Sequence, residues 1–256
     1  MDSPWHRAQM ELLIQTTHVR WQDRSDYYTG GNMFVYFSFE QARTHDYRGP
    51  DYFTVVGVDG SVERKAWVVW EESGRYPDVI IELLSPTTRA EDLGTKKDLY
   101  ERVFRTPEYF CYDPDTRLLM GWRLIAGRYL PIAPDENGRF PCHVLDSTLG
   151  LWEGSFDRIR GVWIRLWDAA GELVPSPPEL AAVAEARASE AEARASEARE
   201  VCQVMALYYR EGVTAAATWL RALPEAYSQR VLAALGATDP EVARAVEAVP
   251  RRGSSS

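Results

Sequence analysis

Short apolar runs separated by turn residues occupy the first two thirds of the chain. Runs that are rich in β-branched and aromatic residues predict strands. They are MFVYFSF (33–39), DYFTVVGV (51–58), SVERKAWVVW (61–70), PDVIIELL (77–84), EYFCYDP (108–114), LLMGWRLI (118–125) and RYLPIA (128–133). Asp59-Gly60 and Ala126-Gly127 separate consecutive runs and predict two hairpins. A short strand is expected near His143 to Leu145.

The run at 77–84 differs from the others because it is almost continuously apolar and contains one acid, Glu82, within its apolar part. Such a run predicts a central strand that is covered on both faces, and Ser85-Pro86 ends it. A helix follows from about Asp92 to Phe104, with an apolar face formed by Leu93, Tyr100, Val103 and Phe104. Strands around one helix predict a mixed α/β (α+β) sheet.

The pattern changes after the proline-rich stretch VPSPPEL at 174–180. We therefore expect a sheet domain over 1–174, a linker over 175–180 and a helical extension over 181–256. Residues 185–198 repeat EARASEA twice. Spacings of four and three residues define a heptad seam, which consists of Ala184, Ala188, Ala191, Ala195, Ala198, Cys202, Met205 and Tyr209.

An alanine seam buries little area, so any pairing through it is expected to be weak. The seam predicts a homo-oligomer through residues 181–211 or packing on the core, with a lone solvated helix as the alternative. Further helices are expected over 213–223 and 225–235, on either side of Pro224, and from Asp239-Pro240 onward.

Composition narrows the function classes. The chain has 38 acidic and 29 basic residues, so its net charge of −9 argues against coating nucleic acid by bulk electrostatics. It has no apolar stretch long enough for a membrane span and no secretory pattern, so a cytoplasmic protein without membrane contact is expected. The three cysteines and four histidines lack zinc-site spacing, and motifs for a serine nucleophile or a phosphate-binding loop are missing.

Carboxylates therefore remain as the candidate chemistry. Glu82 lies inside an apolar strand, where an ionised carboxylate is costly unless a cation or hydrogen bonds compensate it. It is expected to be either a ligand of Mg²⁺ or Mn²⁺, which prefer oxygen donors, or the partner of an arginine. Asp78 shares its strand face but lies about 13 Å away at ~3.3 Å per residue, so an edge or capping role is expected.

Three segments carry a family resemblance: GPD at 49–51, PDVIIELLSP at 77–86 and DLGTKKDLY at 92–100. With GGNMFVYFS, WVVWEE, PEYFCYDP and MGWRL, they resemble the Uma-two family of restriction-endonuclease-like proteins, within the PD-(D/E)xK nuclease superfamily, over about residues 20–150. The resemblance implies a restriction-endonuclease-like central mixed sheet with flanking helices, and metal-dependent phosphodiester cleavage. Asp51 matches the acid of the first half-motif and Glu82 the acid of the second.

The superfamily lysine two residues after the second acid is replaced here by Leu84. The Uma-two pattern has a lysine on the following helix, four residues before a tyrosine, which is Lys96 before Tyr100. Asp92, Lys96 and Tyr100 are spaced by four and form one helix stripe, whereas Lys97 points about 100° away. Lysine occurs at three positions in the whole chain, and the other 26 basic residues are arginines, which makes Lys96 conspicuous.

The resulting hypothesis is a Mg²⁺- or Mn²⁺-dependent endonuclease with DNA as its substrate. Asp51 and Glu82 would bind the metal, and Lys96 would complete the catalytic set. Arg75 and Arg89 are candidate DNA contacts. One alternative is a catalytically silent nuclease fold that assembles through its C-terminal heptad helix. Another is a nuclease subunit directed to its target by a partner at the C-terminal helices.

A few further residues have expected roles. Glu40 is a weaker candidate for an additional acid in the site. Tyr109, Tyr112, Trp67 and Trp70 are expected in the core.

Overall fold

The computed structural model describes residues 3–38 and 49–249, so Glu40 lies outside the described residues. The chain divides into two compact units, Met1–Glu179 and Leu180–Ser256. The strands are β1 Tyr27–Gly30, β2 Val35–Tyr36, β3 Tyr52–Val56, β4 Trp67–Val68, β5 Val79–Leu83, β6 Glu108–Asp113, β7 Leu118–Ile125, β8 Arg128–Pro131, β9 Phe140–Cys142, β10 Ser147–Phe156 and β11 Ile159–Trp167. The helices are α1 Pro4–Arg20, α2 (89–104), α3 Pro177–Glu211, α4 Val213–Ala222, α5 Glu225–Thr238 and α6 Pro240–Ala248.

A six-stranded sheet in the order β1-β3-β5-β6-β7-β8 forms the centre of the first unit. Its neighbouring strands are antiparallel except for β5 and β6, which are parallel, so the sheet is mixed. Every residue of β5 is buried. The structure confirms the predicted fold class and the central position of the strand that carries Glu82.

The two predicted hairpins have different outcomes. β7 and β8 form the second one, with Ile125 opposite Arg128. Its two loop residues, Ala126 and Gly127, have φ of +49° and +82°, and the preferred tight hairpin turn needs positive φ at both. The prediction of a hairpin at Asp59-Gly60 is wrong. β3 pairs with β1 and β5, and β4 pairs in parallel with β2.

The sheet is covered on both faces. Phe53, Ile80 and Leu84 point to one face and pack with Tyr100 and Phe104 of α2. The opposite face packs against α1 and the three-stranded sheet β9–β11. The residues of this second core include Met10, Leu13, Tyr52, Ile81, Leu83, Leu149 and Ile164. The sheet therefore separates the helix that carries Lys96 from the N-terminal helix.

Several local predictions need correction. Helix α1 and the long hairpin β10–β11 were not predicted. The short strand lies at Phe140–Cys142 rather than at 143–145, where the chain turns and the amide of Asp146 donates to the carbonyl of His143 (3.2 Å). Tyr109, Tyr112 and Trp67 are buried as predicted, whereas Trp70 and Val103 are 37% and 45% exposed.

The second unit is helical and has its own core. Val201 and Val204 of α3 pack with apolar residues of α4, α5 and α6, such as Leu220, Leu235 and Val246. The predicted helices are confirmed, including the last one, where the Asp239 side chain accepts from the first amides of α6. The seam alanines from Ala184 to Ala198 are exposed. In the part of the chain that the structure describes, none of the helices combines the length and apolar character that membrane crossing requires.

Candidate active site

Strand register places the two predicted acids side by side. β3 and β5 are antiparallel, with Tyr52 opposite Ile81 and Thr54 opposite Val79. Continuing this register by one residue sets Asp51 opposite Glu82, and both side chains leave the sheet on the same face. The Asp51 amide donates to Glu82 Oε2 (3.3 Å), and the Leu83 amide donates to Asp51 Oδ2 (2.7 Å). The two carboxylates therefore meet at one corner of the sheet.

Helix α2 brings the positive charge of Lys96 to this corner. It alternates α-helical turns (Arg89–Glu91, Lys97–Leu99) with π-helical turns (Asp92–Lys96, Tyr100–Phe104), and π-helical turns are frequent at functional sites.

Its polar stripe covers Glu82. Lys96 Nζ lies 3.1 Å from Glu82 Oε1 and 2.7 Å from Asp92 Oδ1. The Tyr100 hydroxyl donates to Glu82 Oε1 (2.9 Å). The structure thus brings together Asp51, Glu82 and Lys96. Lys97 points elsewhere, and its ammonium lies over the Trp122 ring at 3.9 Å from the centroid.

The cluster is largely buried. The side chains of Glu82 and Asp92 are 1% and 2% exposed, that of Lys96 14%, and that of Asp51 20%. Burial raises the pKa of Glu82 to about 8; the Lys96 ammonium opposes this shift, and the neighbouring carboxylates of Asp51 and Asp92 add to it. Burial also disfavours a charged Lys96, but Glu82 and Asp92 outweigh this effect and raise the Lys96 pKa above its usual value. The site therefore keeps a positive lysine among closely spaced acids.

The donor set suits a hard divalent cation. Glu82 Oε1 is occupied by Lys96 and Tyr100, whereas Oε2 accepts one long bond from the Asp51 amide. Glu82 Oε2 and the Asp51 carboxylate are thus the oxygens that could bind an ion. Among the residues described, no group of three or more His, Cys, Asp or Glu side chains could hold a metal. Two carboxylates are nevertheless enough for Mg²⁺, which usually keeps several waters and uses one or two protein carboxylates.

His6 is a residue of this corner that the sequence did not reveal. Its Nε2 atom lies 3.2 Å from Asp51 Oδ1. His6 belongs to the first turn of α1, where its amide donates to the Ser3 side chain (3.1 Å). Ser3 followed by Pro4 is a recognisable helix start, so this signal could have identified the helix. It could not have identified the contact with Asp51.

The remaining candidates have contacts within the protein. Asp78 accepts from the Val56 amide (2.8 Å) and so fixes the end of β3; its pKa is raised by burial. This agrees with a capping role. The Arg75 guanidinium donates to the carbonyl of Val56. Arg89 forms an ion pair with Asp113 but keeps 43% of its side chain exposed.

Comparisons with known proteins complete this description. A family model described as "Uma2: Putative restriction endonuclease" matches residues 1–151. Among solved structures, the chain is similar to "a putative nuclease belonging to DUF820 from Anabaena variabilis ATCC 29413", with 14% sequence identity and a TM-score of 0.40. That similarity covers 57% of this chain and 75% of the other. No curated protein matches the sequence significantly.

Proposed function

Because this chain belongs to the Uma2 family of restriction-endonuclease-like proteins, we propose that it is a metal-dependent endonuclease that hydrolyses DNA phosphodiester bonds. The observation that carries the proposal is the meeting of Asp51, Glu82 and Lys96 at one corner of the sheet. Two acids on adjacent strands and a lysine from the helix that covers them suit phosphodiester hydrolysis, which needs a bound cation and a second positive group near the phosphate.

Each residue has a separate task in this proposal. Asp51 and Glu82 would hold Mg²⁺ or Mn²⁺, and such an ion, when bound, polarises a phosphoryl oxygen and lowers the pKa of a bound water. Lys96 offsets negative charge that develops on the phosphate and orients the attacking water. Asp92 keeps the Lys96 ammonium in place through its 2.7 Å contact.

DNA binding must rely on local positive groups, because the net charge of the chain is −9. Arg89, which is partly exposed and follows β5 closely in sequence, supports such a contact. Binding through a few arginines releases counterions from the DNA, so affinity is expected to fall with rising salt.

The test is cleavage of supercoiled and linear DNA by the full chain with Mg²⁺ or Mn²⁺. Glu82→Gln and Lys96→Met are expected to lose at least about 100-fold in rate, since each removes a group that stabilises charge in the transition state. Lys97→Met is the matched control, because the neighbouring lysine lies over Trp122 instead of in the site. Cleavage that persists in both site variants would reject the assignment.

One observation favours a second proposal for the C-terminal unit, namely that two copies associate through residues 181–211. The seam alanines are exposed, so they are accessible to a second copy. Glu190 and Arg194 form an ion pair along the same helix (3.7 Å), and this pair stabilises the helix in water. In full-length protein, Ala188→Asp with Ala195→Asp is expected to abolish association in sedimentation velocity. Ala186→Asp with Ala193→Asp, off the seam, is the control.

The outcomes of the two experiments separate the alternatives. Association without cleavage by any form, and without metal binding, would favour a silent interaction protein. Cleavage that needs an added partner would favour a targeted nuclease subunit. An unchanged oligomeric state in the seam variant would reject the seam.

A further inference from the structure

The corner that holds Asp51 is reached from both sides of the sheet. Lys96 approaches from α2 on one face, whereas His6 approaches from α1, which packs on the other. Asp51 immediately precedes β3, so its side chain lies at the sheet end and can contact both layers. His6 and Asp51 are 45 positions apart in the sequence, and the docking of α1 alone brings them together.

We propose that His6 is a positioning residue that fixes the Asp51 carboxylate in the orientation required for a divalent cation. The proposal rests on the function proposed above, because it assigns Asp51 to the metal. His6 acts through Asp51 and does not itself bind the ion.

The contacts of Asp51 show why a second partner matters. The terminal torsion of an aspartate is broad and roughly two-fold, so one hydrogen bond leaves the plane of the carboxylate poorly defined. The Leu83 amide holds Oδ2 at 2.7 Å, and His6 Nε2 lies 3.2 Å from Oδ1. The Leu83 hydrogen bond fixes one oxygen, and the His6 ring beside the other oxygen restricts rotation of the carboxylate plane. Because a carboxylate has about four acceptor sites, each oxygen retains capacity for an ion.

His6 is itself held in place by aromatic packing. Its ring meets the Trp5 ring edge to face (centroids 6.2 Å apart, 84° between planes). Trp5 stacks on the buried Trp163 of β11 at 5.7 Å. The His6 side chain is 13% exposed. A group fixed in this way can orient its neighbour before any ligand arrives, as outer partners of metal ligands do.

The docking of α1 is equally well defined. Gln9, which is fully buried, donates to the carbonyl of Ile164 (3.1 Å) and accepts from its amide (2.7 Å). This pair of bonds fixes the register of α1 along β11. The position of His6 is therefore set by the core and not by the site.

The experiment measures Mn²⁺ binding to the full chain by calorimetry. Removal of an outer partner of a metal ligand typically weakens affinity by about 10- to 100-fold, and we expect this for His6→Ala. His6→Gln should recover most of the loss, because the glutamine amide nitrogen reaches the position of Nε2. His6→Asn, whose amide is one methylene shorter, should not.

His18 supplies the matched control. It lies on the same helix, and its Nδ1 is 2.8 Å from the Tyr27 hydroxyl, outside the proposed site. His18→Ala is expected to bind Mn²⁺ as tightly as the unmodified protein. A merely structural role for His6 would make His6→Gln and His6→Asn equally weak.

The possible results separate this proposal from the proposed function. If Asp51→Ala abolishes Mn²⁺ binding while His6→Ala binds normally, the metal site stands and the positioning role is overturned. Equal weakening in His6→Ala and His6→Gln overturns it as well. If the unmodified chain and Asp51→Ala bind Mn²⁺ alike, or neither binds it, the metal site fails and the role of His6 fails with it.

Discussion

Replacing Lys96 by methionine tests the electrostatic account of the site directly. The Lys96 ammonium lies 3.1 Å from Glu82 Oε1 and 2.7 Å from Asp92 Oδ1, and both acids are almost fully buried. Methionine has a similar length and fills the same space, so the change removes charge with little loss of packing. It leaves two buried carboxylates without their shared cation.

The expected cost follows from this burial. Removing one partner of a buried ion pair destabilises a protein by about 3–5 kcal/mol, which for a unit of this size lowers Tm by roughly 6–20 °C. Protonation of Glu82 relieves part of the cost. Its pKa is raised from 4.5 to about 8, mainly by burial, so the folded state binds more protons than the unfolded state between these values. Stability therefore falls as pH rises through this window, and the penalty should be larger at about pH 8.5 than at about pH 6.

Urea unfolding followed by tryptophan fluorescence is the assay. Eight of the nine tryptophans lie in the first unit, so the signal reports on the unit that contains the site. Lys97→Met is the control and should cost about 0.5–2 kcal/mol, the range for a partly buried cation–π contact. A Lys96→Met penalty that equals that of Lys97→Met at both pH values would refute the reasoning.

Three further results are expected. Mn²⁺ affinity should rise between about pH 6 and pH 8.5 in calorimetry, because the ion displaces the proton whose pKa on Glu82 is about 8; an affinity independent of pH would contradict this. Gly121→Ala places a Cβ 2.6 Å from Phe110 Cε1 and should cost about 1–3 kcal/mol in urea unfolding, and an unchanged midpoint would contradict the overpacking. Partial burial acts to raise the pKa of Glu179, but hydrogen bonds from Arg165 and neighbouring groups hold it below its usual value; the stability difference from Glu179→Gln should therefore shrink as pH falls below about 4.5, and a difference constant with pH would contradict it.

Local patterns account for the parts of the fold that the sequence predicted correctly. The apolar run of β5, the turn at Ala126-Gly127 and the helix start at Asp239 each depend on neighbouring residues, and each is present in the structure. The failure at Asp59-Gly60 has a non-local cause. The Gly60 amide donates to the carbonyl of Ser25 (2.9 Å), so this loop packs against the segment before β1 instead of closing a hairpin.

The candidate site likewise combines residues that local patterns predict with one contact that depends on non-local packing. Glu82 was predicted because it is an acid inside an apolar strand, and the resemblance to the Uma-two family then implied Asp51 as the first acid and Lys96, four residues before Tyr100, as the lysine. Their meeting then follows from the β3–β5 register and from α2 packing back on the sheet. The contact of His6 with Asp51 depends instead on how α1 docks against β11, and no pattern within α1 encodes that docking.

The location of the lysine on α2 determines the charge balance of the site. Position 84, two residues after Glu82, shares its face, but Leu84 is 2% exposed and packs with Tyr100 in the core. Because Lys96 comes from the helix, Asp92 lies one turn away from it. The site therefore gains the Asp92 carboxylate together with the Lys96 ammonium. With three carboxylates ionised and Lys96 charged, two negative charges remain, which one divalent ion would neutralise. Without an ion, a proton on Glu82 removes one of these negative charges, because burial raises the pKa of Glu82 to about 8. The net charge of −9 therefore does not argue against phosphate chemistry, because the local charge at this corner depends on its own ionisable side chains and on the ion that Asp51 and Glu82 would hold.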